Sequence, residues 1–150
     1  MTKKTVFSLL VVFLLLLQSL PALAETAEEL YRKGMNLAAR NVYGEAIDVF
    51  TKAVALDQTL APAYLERGRM YFAMNPSFCT EARADFTTAI KLTPEDPVPY
   101  YERGLLNAFL LQNEQARADM ETAAGLGHKG AREWLEKEEK SVVVFPTVQK

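Results

Sequence analysis

From Ala27 onward, apolar residues recur at spacings of three and four, the period of a helix with one buried stripe. Leu30, Gly34, Leu37 and Ala38 share one such stripe, and Ala46, Val49, Phe50, Ala53 and Leu56 share the next. The stretch Asn41 to Gly44 separates them. A second run, Ala63 to Met74, breaks at Asn75-Pro76 and restarts near Thr80, whose hydroxyl suits an N-cap ahead of Glu81. That helix ends near Leu92, because Thr93-Pro94 cannot continue it. A third run starts near Pro97, since proline is at home in a first helical turn; it turns at Gln112-Asn113 and fades at Gly125 and Gly127. The pattern predicts helices in three successive pairs.

The pairs are copies of one another. Tyr64-Leu65-Glu66-Arg67-Gly68 returns as Tyr100-Tyr101-Glu102-Arg103-Gly104, 36 residues later, and Ala82-Arg83-Ala84-Asp85 returns as Ala116-Arg117-Ala118-Asp119, 34 residues later. The offsets differ by two, which places a two-residue insertion in the inter-helix turn of the earlier copy. A more divergent copy precedes both, with Leu30-Tyr31-Arg32-Lys33-Gly34 and then Ala46-Ile47-Asp48-Val49-Phe50. A period in this range is the signature of stacked helical units. Small residues recur where the helices of a pair should cross, Gly34 with Ala46, Gly68 with Ala82 and Gly104 with Ala116. A larger side chain there would push the axes beyond the roughly 8–10 Å of ordinary helix packing.

These residues resemble the tetratricopeptide repeat. That family has a bulky residue, a small one four positions on and an aromatic three further, then alanine, an aromatic, alanine and often proline in its second helix. Here Leu30, Tyr64 and Tyr100 fill the first place, Gly34, Gly68 and Gly104 the second, and Leu37 and Tyr71 the third. Ala46, Ala82 and Ala116 follow, then Phe50, Phe86 and Met120, then Ala53, Ala89 and Ala123, with Pro94 as the one closing proline; Gln58 and His128 stand in its place elsewhere. The chain departs from the family at basic Lys33, Arg67 and Arg103, where leucine is usual, and at Asn107, where an aromatic is usual. The resemblance implies an all-α, right-handed superhelix of three helix pairs, residues 27–60, 61–96 and 97–130, closed by a C-terminal capping helix at 131–140. In that helix Ala131, Trp134 and Leu135 are placed to cover the last pair, and Glu136 to Lys140 to give it a polar outer face.

Both termini read differently from the repeats. Lys3 and Lys4, the apolar run Val6 to Leu17, helix-breaking Pro21 and Ala22-Leu23-Ala24 before Glu25 have the layout of a secretory signal, residues 1–24, with cleavage expected after Ala24. The apolar run is shorter than the roughly 18–20 residues that span a bilayer comfortably, so membrane contact is expected only if this segment stays uncleaved as an anchor. The chain is therefore expected to be exported, to a periplasm or to the outside. The tail, residues 141–150, carries Val142-Val143-Val144-Phe145 and then Pro146. It is expected to be a mostly flexible end; a strand added to a partner's sheet edge and a segment lying on its own solenoid are the other readings.

Composition then excludes most chemistry. The formal net charge of −2 offers no basic face for nucleic acid. One cysteine, Cys79, permits no internal disulfide, and one histidine, His128, sits in a helix-ending turn. No ligand spacing for a metal and no glycine-rich phosphate loop is present, so no catalytic residue, cofactor or metal is assigned. The expected function is to hold another protein or a peptide segment. In stacked pairs the first helices line the inner wall. The groove residues expected there are Tyr31, Arg32 and Met35, with Ala38, from the first pair; Leu65, Glu66, Arg69 and Phe72 from the second; and Tyr101, Glu102, Leu105 and Phe109 from the third. The strip looks free of core duty, which would make it an interaction surface; packing against the tail or neighbouring helices is the plainer alternative. Tetratricopeptide domains that clamp a terminal carboxylate do so with lysine, asparagine and arginine, whereas Tyr31, Met35, Glu66, Val98 and Glu102 stand at the corresponding places. A second expectation of another kind is a structural subunit, stacking end to end or through Cys79 and Val142 to Phe145 into a homo-oligomer.

Overall fold

The computed structural model describes residues 25–143, with side chains through Lys140; the predicted signal at 1–24 and residues 144–150 of the predicted tail lie outside the described residues. Among the described residues seven α-helices follow one another: α1 (Ala27–Ala39), α2 (Tyr43–Leu56), α3 (Ala61–Met74), α4 (Cys79–Leu92), α5 (Pro97–Phe109), α6 (Asn113–Gly125) and α7 (Lys129–Val143). No strand occurs among the described residues. The helices pack as sequential antiparallel pairs, α1 with α2, α3 with α4 and α5 with α6, and each pair rests on the next.

Local chemistry sets the ends of the helices. Thr26 and Glu29 form a reciprocal capping box on α1: the Thr26 hydroxyl accepts the Glu29 N–H at 3.2 Å, and the Glu29 carboxylate accepts the Thr26 N–H at 2.8 Å. Those hydrogen bonds from Thr26 hold the Glu29 carboxyl below its ordinary range. Asp96 accepts the Val98 N–H at 2.9 Å ahead of α5, which starts at Pro97 as expected. The turns after α1, α5 and α6 each place one residue in the left-handed region: Asn41, Leu111 and Gly127. In each, the next amide reaches back to close the helix, as Val42 N–H does to Leu37 O at 3.0 Å and Gln112 N–H to Asn107 O at 2.9 Å. Leu111 is the costly member, since a β-carbon in this region costs about 1–2 kcal/mol and its side chain is exposed.

The inserted residues of the second pair are shared out. From Gly68, α3 runs one residue further than α1 does from Gly34, and its turn is one residue longer. That turn is a short 3₁₀ segment, Pro76–Phe78, in which the Asn75 side chain accepts the Ser77 N–H at 2.8 Å. The expected N-cap at Thr80 does not form. Asn75 bonds its own backbone two residues on, so α4 starts already at Cys79 and Thr80 lies inside the first turn. Cys79 is thus not an exposed turn residue: it is buried beside Ala82 and Phe86. At the other end, α7 begins at Lys129 and continues to Val143, taking in three residues that the sequence assigns to the tail.

The close approach within each pair is made against a ring or a thioether rather than against the alanine expected from the sequence. A β-carbon on Gly34 would lie 2.6 Å from Phe50 Cε1, and one on Gly68 would lie 2.7 Å from Phe86 Cε1 and 3.2 Å from the Ala82 carbonyl oxygen. On Gly104 it would meet the Met120 methyl at 3.0 Å. Phe50, Phe86 and Met120 are fully buried, each in its own core cluster.

The basic residues that replace the family leucine form a repeated clamp. Arg67 donates through Nε and Nη2 to Asp85 at 2.8 and 2.7 Å, and through Nη1 to the Thr51 hydroxyl of the preceding pair at 3.1 Å. Arg103 does the same with Asp119 at 2.9 and 2.7 Å and with Thr87 at 3.1 Å. Asn107 completes the second clamp, its amide donating to Asp119 at 3.0 Å. The hydrogen bonds it donates to Asp85 raise the pKa of Arg67 despite its burial. An ion pair of this kind gains little over an apolar substitute, but removing one partner strands a buried charge at a cost of about 3–5 kcal/mol. Each clamp therefore enforces the register of one pair on the next.

The two ends of the stack lack these devices. Where the later pairs bury Ala63 and Met70, or Pro99 and Leu106, α1 exposes Glu29 and Asn36. Counting five residues from buried Ala63, Pro99 and Ala131 gives Gly68, Gly104 and then exposed Glu136. A glutamate there keeps a further helix from approaching α7 as α4 approaches α3. Ala131, Trp134 and Leu135 instead pack on Met120 and Ala123.

If the glycine contacts set the spacing, Gly68→Ala should lose about 1–3 kcal/mol of stability by overpacking against a ring and a backbone oxygen. Gly104→Ala should lose less, because about 1 kcal/mol of gained helix propensity partly offsets displacement of the Met120 methyl and the looser contact with Asp119 Cβ at 3.3 Å. Urea unfolding of the two variants checks the order, and equal losses would contradict it.

Candidate partner-binding groove

Successive first helices touch, α1 with α3 and α3 with α5, whereas successive second helices do not approach as closely. The stack therefore bends with α1, α3 and α5 on its inner side. Three kinds of surface follow one another along α3. Next to its first turns is a cavity of about 250 Å³ lined by Tyr31, Pro62, Leu65, Glu66, Thr93 and Pro99, among others. In the middle, Arg69 donates through Nη1 to Glu66 Oε1 at 2.6 Å and through Nε and Nη2 to Glu102 Oε1 at 3.0 and 2.7 Å. Towards its end, the Phe72 ring meets Phe109 edge to face, with centroids 5.5 Å apart.

The expected strip is brought together on one face, but it is not free of core duty. Leu65 is buried in the second core cluster. The Tyr31 ring lies 6.0 Å from Phe50, and Leu105 packs on the third cluster. Tyr101 stacks on the His128 imidazole at 4.1 Å, and Gly130 lies beneath the same ring. The helices of a three-pair stack are so close that inner-face side chains reach neighbouring helices. Exposed surface is concentrated in Arg32, in Met35 at 38% and in Phe109 at 53%. Phe72, Glu66, Arg69 and Glu102 are half-buried between them.

Electrostatics change the role of Arg69. Burial works against its charge, but Glu102 and Glu66 outweigh that and raise its pKa. All three of its nitrogens donate to those two carboxylates, so its charge is already paired and it is not a free cation for a partner. Burial, and secondarily the charge of Glu66, raises the pKa of Tyr31. His128 was the feature least visible in the sequence. Its Nδ1 accepts the Ala131 N–H at 3.1 Å, capping α7, while its ring holds Tyr101. The expected oligomer contact through Cys79 is unavailable to a partner at a buried side chain. No three His, Cys, Asp or Glu side chains among the described residues converge as a metal would need.

No family model matches the chain. The TPR repeat-containing thioredoxin TDX of Arabidopsis thaliana is 30% identical over 96 residues, 64% of this chain; the chain spans 25% of that relative's length. Among solved structures, the first TPR of Spaghetti (RPAP3) bound to the HSP90 peptide SRMEEVD superposes with a TM-score of 0.71 at 26% identity, over 79% of this chain and 94% of that one. The second TPR domain of human RPAP3, in complex with the HSP70 peptide SGPTIEEVD, gives a TM-score of 0.68 at 28% identity, over 74% and 92% of the two chains. With three sequential helix pairs, a glycine under a buried ring or thioether in each, and a capping helix, the chain has the all-α superhelical fold of tetratricopeptide-repeat domains and is similar to that family.

Proposed function

We propose that this chain is a peptide-binding adaptor that works outside the cytoplasm, in a periplasm or secreted, and takes an extended or helical segment of a partner protein along the inner face of α1, α3 and α5. The observation that carries the reading is the Phe72–Phe109 pair together with Met35 of α1: Met35 and Phe109 are exposed apolar side chains on the face that the curvature makes concave. Solved tetratricopeptide domains of similar shape were determined with peptides bound. Support for a binding module rather than an enzyme comes from the candidate nucleophile and base, since Cys79 is buried and His128 is engaged in capping and stacking. Support for export comes from the charged, apolar and small-residue order of Lys3 to Ala24.

Paired truncations test the groove. Met35→Ala with Phe109→Ala should leave the helical circular dichroism unchanged, because both side chains are exposed. Recovery of the partner from native envelope extract should weaken by about 2 kcal/mol, or roughly thirtyfold in affinity, as for an interface anchor. Equal recovery by wild type and variant would sink the groove reading. Export is tested by intact mass and N-terminal sequencing of the chain from the same fraction. The expected first residue is Glu25, and a chain that keeps Met1 at the full 16.8 kDa would overturn cleavage.

A further inference from the structure

The ion cluster on the groove floor is unbalanced. Two carboxylates, Glu66 and Glu102, share one guanidinium, and both contribute only Oε1 to it. Among the described residues, the Oε2 atom of each accepts no hydrogen bond. The cluster thus carries an excess of one negative charge with two acceptor atoms to spare. On α1, exposed Glu28 and Arg32 offset one another. The Glu66 and Glu102 side chains are only 13% and 17% exposed, so water screens them less than it screens a surface carboxylate.

The placement of this charge matters as much as its sign. Along α3 it lies between the cavity beside Tyr31 and Leu65 and the ring pair Phe72–Phe109. A segment laid along the groove would meet a mostly apolar cavity that also holds Asp96, then the negative cluster, then an apolar ring pair. An acidic segment would place like charges together in a half-buried site whose one cation already serves two carboxylates.

We propose that the groove selects a partner segment with a lysine or arginine between apolar residues, and that Glu66 and Glu102 are the carboxylates that receive it. This rests on the groove reading above and adds to it the sign and order of the ligand. A cation entering here completes the charge balance, with charge-assisted bonds to the two spare oxygens. The pattern is opposite to that of the acidic peptides bound by the RPAP3 domains.

Selection of random twelve-residue peptides displayed on phage against the full chain tests the proposal. Enriched peptides should carry lysine or arginine between apolar residues. Replacing that basic residue by norleucine should weaken binding about tenfold or more, and raising salt should weaken the basic peptides selectively. In the Glu66→Gln, Glu102→Gln chain the basic preference should vanish; should that variant misfold, the norleucine and salt series on wild type decide alone. Enriched peptides that are neutral or acidic, yet lose binding in Phe109→Ala, would overturn the charge proposal and leave the groove reading intact. Peptides indifferent to Phe109→Ala, or no enrichment at all, would bring down both.

Discussion

The spacing of each helix pair is set by the side chain that glycine lacks. Gly34 and Gly68 let the rings of Phe50 and Phe86 lie against bare backbone, and Gly104 does the same for Met120. Three large groups become fully buried without forcing the helices apart. Because the approach is made at the same place in every pair, the first helices stay parallel to one another and fall on one side of the bend. The inner face, its cavity and its ring pair all follow from that alignment.

A second constraint ties one pair to the next. The clamps of Arg67 with Asp85 and Thr51, and of Arg103 with Asp119 and Thr87, each span a pair and reach back to its predecessor. They occur only where a preceding pair exists to receive the third bond: Lys33 in the first pair bonds Glu25 instead, at 3.2 Å. Glycine contacts thus fix the distance within a pair, and arginine clamps fix the register between pairs. The Arg69 cluster does the same work on the inner side, joining α3 to α5, and there two carboxylates share one guanidinium.

Much of this was legible in the residues. The repeat offsets, the glycine positions and the turn signals located every pair, because they are local or recur at a fixed interval. What escaped was whatever depended on contact between pairs. The alanine opposite each glycine was visible as a small residue, yet the decisive neighbour is the ring or thioether one turn further on. Arg69 read as an available cation because both its partners lie on the inner face at offsets of 3 and 33 residues, and the second offset needs the stacking register to be seen. His128 read as an ordinary turn residue because neither its cap on α7 nor its stack on Tyr101 has a sequence signature. Cys79 was placed in an open turn because Asn75 was not recognised as the stronger local hydrogen-bonding residue.

The account stands on the inner face being the surface that partners use. Chemical-shift mapping of the isotope-labelled chain, titrated with a bound peptide, tests this most directly. Shifts should concentrate on Met35, Glu66, Phe72, Glu102 and Phe109, with α2, α4 and α6 little changed. Shifts centred on the outer helices, or on the exposed ends at Asn36 and Glu136, would contradict it.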